Sequence, residues 1–241
     1  MIVKRAFYYE AGVDDKIDVS FPGETNSVEH YPSMARCFFN CLSSVLSEFG
    51  IESTYDEATG LGTIGGVPMM IAYKPSLVYF WCEGMGTKCS GFSLSRTLAS
   101  TLSTQTLGVT IKGTDNSFAV YLGSGNNAGE ENLVFGIVSL KRISDNADVK
   151  GFMPAVTSPI LYAFDEGEFQ ETNSIVKAAT DYAVSIPGYD GMALVPAVTT
   201  NLAYMLSDCF MHSPALLADG SYYTIAEQNV VVVNGNVLMK C

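Results

Sequence analysis

Charge is what this chain has least of. Charged residues make up 16% of its 241 positions, against roughly 25% in an average soluble domain. Thirteen Lys and Arg stand against 25 Asp and Glu, a formal net charge of −12. Such a balance repels a phosphate backbone, so no direct nucleic-acid binding is expected. Histidine is scarce as well: only His30 and His212 are present, which leaves little for imidazole catalysis. The six cysteines, at 37, 41, 82, 89, 209 and 241, are too few for a disulfide scaffold in a chain of this length. They read as free thiols acting as small hydrophobes. No run reaches the roughly 18 uncharged apolar residues of a membrane helix, so no membrane span is expected. The opening segment Met-Ile-Val-Lys-Arg-Ala-Phe-Tyr-Tyr-Glu has no apolar h-region and is not read as a signal peptide. Synthesis in the cytosol, or exit by a route that needs no signal, is the expectation.

Apolar residues, at 48%, and 22 glycines fill the place of the missing charge. That much apolar surface offsets ordering entropy, which excludes disorder. The length suits one continuous α+β domain over residues 1–241. The acidic stretch Asp165 to Glu171 is the one candidate for a weak internal subdivision. Obligate interfaces are poor in charge and rich in aromatic residues and Met. Here Tyr and Phe number 13 each and Met 10, the composition of a subunit in a permanent assembly.

One helix stands out, from about Met34 to Phe49. Met34, Cys37, Phe38, Cys41, Leu42, Val45, Leu46 and Phe49 recur at helical spacing and form one apolar stripe. Ser33 is the expected N-cap after Pro32, and Gly50 stands where a left-handed residue ends a helix. Nearly everything else reads as antiparallel, sandwich-like sheet. Val67–Tyr73 and Leu77–Cys82 bracket a turn. Val109–Lys112 and Phe118–Leu122 flank another at Gly113–Asn116. Further strands are expected at Leu133–Ile143, Ile160–Phe164, Ala183–Ile186 and Ala193–Val198. Tyr222–Ile225, Asn229–Val233 and Asn236–Lys240 close the chain, with Asn234-Gly235 suited to a type I′ turn. A second helix is expected over Asn201–Phe210. Ile175–Ala183 fits helix or strand, and the Ser/Thr-rich segment Ser90–Thr106 reads as loop with short regular pieces.

Several constellations invite a chemical role, each with a plainer explanation. Cys37, Cys41, Cys209 and His212 have the donor types of a zinc site, yet Cys37 and Cys41 fall inside the apolar stripe. Cys82 and Cys89 flank a short segment that a disulfide can bridge. A thiol nucleophile at Cys41 would need His30 or His212 beside it, and no Gly-x-Ser-x-Gly elbow is present. Tyr55-Asp56-Glu57 and Asp165-Glu-Gly-Glu168 offer paired carboxylates, which on loops are ordinarily solvated surface. Gly60, Gly62 and Gly65 meet the Gly-x-Gly-x-x-Gly spacing, but a strand pattern with Pro68 follows in place of the required helix. These glycines are expected to make a mobile turn. Asp14, Asp15 and Asp18 lack the loop spacing of an EF-hand. No catalytic, cofactor or metal site is expected, and the chain is not read as an enzyme.

Ala193-Leu-Val-Pro-Ala-Val-Thr-Thr, Leu206-Ser-Asp-Cys, Leu217-Ala-Asp-Gly-Ser-Tyr-Tyr-Thr-Ile225 and Val230–Lys240 together resemble the C-terminal region of many bacteriophage tail and virion structural proteins. The likeness covers roughly the last 50 residues. It implies a structural subunit of a phage virion or a phage-derived tail-like particle, in the tail, baseplate or fibre-attachment region. It implies assembly in the host cytoplasm, location in the virion, and as partners copies of the chain itself or other virion structural proteins. Val230–Val233 and Leu133–Val138 are candidate contact strands, or strands buried on both faces. The alternative is a receptor- or carbohydrate-binding module, with Tyr31, Tyr55, Trp81, Tyr189 and Tyr222 as stacking surfaces. A cysteine or zinc hydrolase is the third reading.

Overall fold

The computed structural model describes residues 2–9, 15–20, 27–74, 77–82, 88–93, 103–124, 132–155, 160–170, 173–177, 184–185, 193–211, 220–225, 228–233 and 237–241. The fold is α+β and mostly antiparallel β, with one helix among the described residues. Among the described residues no helix is long and apolar enough to cross a membrane. The chain packs as two units. One comprises Met1–Ile111 with Val120–Val134, the other Lys112–Ala119 with Phe135–Cys241.

Up to residue 124 the elements are β1 (Ile2–Tyr9), β2 (Ile17–Val19), β3 (Val28–His30), α1 (Pro32–Glu48), β4 (Ser53–Asp56), β5 (Leu61–Ile64), β6 (Val67–Lys74), β7 (Leu77–Cys82), β8 (Lys88–Ser93), β9 (Ser103–Gly113) and β10 (Phe118–Ser124). In the first unit β1 pairs antiparallel with β9 from Ile2↔Thr110 to Tyr9↔Ser103. A separate five-stranded sheet runs β4-β5-β6-β7-β8. The expected apolar stripe is the buried face of α1: Met34, Phe38, Cys41, Leu42, Val45 and Leu46 are all enclosed. Phe38 packs on Tyr73 of β6, ring centroids 6.1 Å apart, and Phe39 stacks on Tyr55 of β4 at 4.6 Å. The other face of β6 packs Met70 and Ala72 against Val19. A strand covered on both faces shows no alternation, which is why β6 reads as a continuous apolar run.

The start of α1 differs from expectation. Tyr31 is the N-cap residue and makes no side-chain cap, Pro32 opens the first turn, and Ser33 is already helical. The Ser33 N–H is one of the orphan donors of that turn, and it is taken by Asp15 Oδ2 at 2.7 Å. The cap therefore comes from 18 residues upstream, a role Ser33 cannot fill from inside the helix. At the other end Gly50 is left-handed, φ +76°, as its position demands. The glycine-rich segment is not one mobile turn: β5 lies between a turn ending at Gly60 and a turn at Gly65-Gly66.

The remaining strands are β11 (Asn132–Arg142), β12 (Asp148–Pro154), β13 (Ile160–Asp165), β14 (Glu168–Phe169), β15 (Asn173–Lys177), β16 (Val184–Ser185), β17 (Ala193–Thr199), β18 (Tyr204–Met211), β19 (Tyr222–Ile225), β20 (Gln228–Val233) and β21 (Val237–Lys240). In the second unit the order β11-β12-β13-β15-β17-β18 closes on itself, because β18 also pairs with β11 through Leu140↔Leu206, Lys141↔Met205 and Arg142↔Tyr204. The result is a six-stranded antiparallel barrel. One edge of β18 carries β17. Its other edge carries β11 near Tyr204 and β21 near Met211. From β21 the sheet continues through β20 to β19.

The expected helix at Asn201–Phe210 is instead a turn followed by β18. Its burial alternates in two stretches, with Tyr204 and Leu206 and then Cys209 and Met211 enclosed, and pairing on both edges overrides a modest helical preference. Within Ile175–Ala183 the described part is strand β15, and residues 178–183 lie outside the described residues. The Ser/Thr-rich segment contributes the end of β8 and the start of β9. Asp165–Glu168 is a tight turn inside the second unit, with Phe164↔Phe169 paired across it. Val230–Val233 are fully enclosed, and so are Val134–Val138. Both runs are core strands of the subunit itself, which explains their unrelieved apolar character.

Candidate functional site

The barrel of the second unit has a built mouth. Side chains along β11 alternate, so Val138, Leu140 and Arg142 share one face. A Cβ added at Gly151 would touch Leu161, Leu140 and Val138, which identifies that face as the packed interior. Arg142 is the last residue of β11 and caps this column. Its Nη2 donates to Asp165 Oδ1 at 2.8 Å, and its Nη1 donates to Glu166 Oε1 at 3.0 Å and to Asp145 Oδ2 at 3.2 Å. From the opposite wall the Tyr204 hydroxyl donates to Asp165 Oδ2 at 2.8 Å. Strands β13 and β18 stand three steps apart around the ring, so this bond spans the lumen. A guanidinium fork holding three carboxylates fixes geometry through several charge-assisted bonds at once. Burial first, then the bond to Asp165, pushes the Tyr204 hydroxyl up to about 12. That phenol stays protonated at neutral pH and serves as an anchor.

Three turns surround this plug: residues 143–147, 166–167 and 200–203. They are tied together by Arg142 to Glu166 and by the Ile143 N–H donating to the Ala203 carbonyl at 2.9 Å. Among the described residues, the non-glycine residues with left-handed backbone are Asn146 (φ 62°), Glu166 (φ 54°) and Leu202 (φ 54°), one in each turn. Asn tolerates that conformation, whereas for Leu it costs roughly 1–2 kcal/mol. Leu202 is held there by its N–H donating to the Thr199 carbonyl at 2.8 Å. Asn201 Oδ1 accepts from both Thr199 Oγ1 and the Ala203 N–H. The strained residue is 62% exposed; Ile143, whose N–H meets the neighbouring Ala203 carbonyl, is 51% exposed and Met205 37%. Ile143 and Met205 lie on the outer face of the β11–β18 pair, near Lys141 and its ion-pair partner Asp148.

The residues singled out in the sequence are distributed otherwise. Cys37 and Cys41 lie on α1 of the first unit, Cys209 lies on β18 of the second, and His212 falls outside the described residues. Burial pushes the thiols of Cys37 and Cys209 up, away from thiolate character. Among the described residues no group of three or more His, Cys, Asp or Glu is arranged to hold a metal. The side chains of Cys82 and Cys89 lie outside the described residues. His30 is fully enclosed: its Nε2–H donates to the Glu57 carbonyl at 2.8 Å and its Nδ1 accepts the Tyr73 N–H at 3.2 Å. Neither nitrogen is left for a thiol. Asp56 Oδ1 accepts the Ala58 N–H, closing a local turn, and Asp15 caps α1.

Of the stacking candidates, Tyr31 is buried, and Tyr55 lies against Phe39 with its hydroxyl on the Ile71 carbonyl at 2.9 Å. Tyr222 is exposed in the second unit. Tyr189 and the side chain of Trp81 lie outside the described residues. Two shallow recesses of about 470 and 450 Å³ adjoin Thr54 in the first unit, one lined by Ser43, Ser47, Glu52 and Ser53, the other by Tyr55, Asp56, Leu61, Gly62, Thr63 and Pro68.

Sequence reasoning missed the barrel mouth. Its signals, Arg142 ending an apolar strand and a Leu-Ala pair after Thr-Thr-Asn, take meaning only from closure of the ring. Comparisons with family models, with curated proteins and with solved structures find no match to this chain.

Proposed function

We propose that this chain is a structural subunit of a phage virion or of a phage-derived tail-like particle, in the tail, baseplate or fibre-attachment region, and that it works by assembly. The particle type rests on the resemblance of the last 50 or so residues. The assembly mechanism rests on the barrel mouth, and above all on Leu202. A leucine that is both left-handed and exposed carries two costs, and the turn's own hydrogen bonds hold it in that state. Strain of this kind is retained where a contact uses it. The barrel supplies a rigid base, the Arg142 clamp holds the three turns in register, and Leu202, Ile143 and Met205 supply an apolar surface for a neighbour.

The test is sedimentation from cells that produce the chain in its native setting. Co-sedimentation with particles of very high mass, with cross-links to neighbouring subunits at residues 143–148 or 200–205, is the expected result. A chain that runs as a free 25.9-kDa species at every stage overturns the reading.

A carbohydrate-binding module is the second reading, favoured by the hydroxyl-lined recesses around Thr54. Tyr55 lines one of these recesses, with one face of its ring stacked on Phe39. Glycan binding lost in Thr54→Val would support it, and glycan binding unaffected by that change would not.

A further inference from the structure

We infer that the barrel mouth receives a basic segment with apolar side chains from a different polypeptide, rather than a second copy of this chain. The inference rests on the assembly reading and adds the chemistry of the neighbour.

The rim carries exposed apolar and acidic side chains. Leu202, Ile143 and Met205 are the apolar ones. Asp145, Asp148 and Glu166 are exposed as well, and Glu168 follows Glu166 across the turn. Among the described residues the cations here are Arg142 and Lys141, engaged with Asp165, Glu166, Asp145 and Asp148. Among the described residues carboxylates thus outnumber cations at the rim, and both cations already have carboxylate partners. Burial of Leu202 and Ile143 by a partner must bring the surrounding carboxylates out of bulk water. That is favourable only where the partner presents positive charge to them.

A second copy fails this requirement. A two-fold contact through the rim would place the same carboxylates against themselves. A head-to-tail contact would meet a chain whose 25 acidic residues outnumber its 13 basic ones. Nucleic acid and anionic lipid are rejected on the same sign of charge. A Lys- or Arg-bearing protein segment with Leu-, Ile- or Met-like side chains satisfies both parts of the rim.

The experiment is selection of a random dodecapeptide library on the immobilised full-length chain, with counter-selection on its Leu202→Asn variant. Asn tolerates the left-handed backbone, so this variant keeps the fold, which circular dichroism checks. The peptides recovered are expected to be cationic with apolar residues. They should bind Leu202→Asn at least about tenfold more weakly and lose affinity as salt rises. Peptides that are acidic or neutral, or that bind both chains alike, overturn the inference. So does a concentration-dependent dimer, seen by light scattering, that Leu202→Asn abolishes. If the chain sediments with particles while the library returns nothing dependent on Leu202, the inference falls and the assembly reading stands. If cationic peptides are recovered but the chain is never particle-bound, the rim chemistry stands and the assembly reading falls.

Discussion

His30 makes the stability of the first unit depend on pH in a way that can be read in one set of unfolding curves. The imidazole is 0% exposed, and its two partners force one tautomer. The Glu57 carbonyl can only accept, at 2.8 Å from Nε2, and the Tyr73 N–H can only donate, at 3.2 Å from Nδ1. Protonation places a hydrogen on Nδ1, facing another hydrogen, and strands a buried peptide N–H. Burial holds the pKa of His30 below its usual 6.5; the bond to Glu57 and the charge of Asp15 act in the opposite direction and are smaller. A base whose folded-state pKa is depressed contributes stability that is present above pH 6.5. That stability is lost as pH falls from 6.5 toward the folded value, because the unfolded chain takes up the proton first. One proton sets the limit at about 1.4 kcal/mol per pH unit in that window. Urea unfolding of the wild type and of His30→Gln, stepped from pH 7.5 to 4.5, isolates the effect from the carboxylates common to both. At pH 7.5 the variant should already be about 2 kcal/mol less stable, from the unpaired Tyr73 N–H or Glu57 carbonyl. The gap between the two should shrink as pH falls through 6 and below. Identical pH slopes in the two proteins, or an NMR titration placing His30 at or above 6.5, would refute the reasoning.

Tyr204→Phe removes the bond across the barrel to the buried Asp165 and should cost roughly 1.5 kcal/mol in urea unfolding. With its hydroxyl pushed up to about 12, Tyr204 contributes stability in full below pH 10. That contribution is lost as pH rises from 10 through 12, and alkaline unfolding of Tyr204→Phe should lack this component. Leu202→Asn should raise stability by about 1 kcal/mol through relief of left-handed strain while weakening the rim contact. A variant that is both less stable and unchanged in binding would contradict that account. Gly113→Ala should cost about 3 kcal/mol or more, since Gly113 has φ +123° and a Cβ there would overlap the Ser117 carbonyl oxygen. A melting temperature within a degree or two of wild type would show that the turn relaxes at little cost.

The parts of this protein that its sequence determines by itself are those governed by short windows. The stripe from Met34 to Phe49 specifies the buried face of α1, because a 3.6-residue period needs no knowledge of what it packs against. Gly50 ends the helix for an equally local reason. The valines at 230–233 announce a strand, though their composition alone could not say whether the faces met solvent, a neighbour or the subunit's own core. Tertiary structure enclosed them between β19 and β21. It also turned Asn201–Phe210 from an expected helix into a turn and strand, because pairing with both β11 and β17 was available there. The cap on α1 arrives from Asp15, and the plug of the barrel joins residues 142, 165 and 204. Such pairings are chosen collectively, by the register that buries the most apolar surface at once, and no local pattern encodes them. The same holds for Leu202. Its backbone angle is a consequence of three turns meeting around one arginine, so the residue that carries the proposed contact became visible only when the ring had closed.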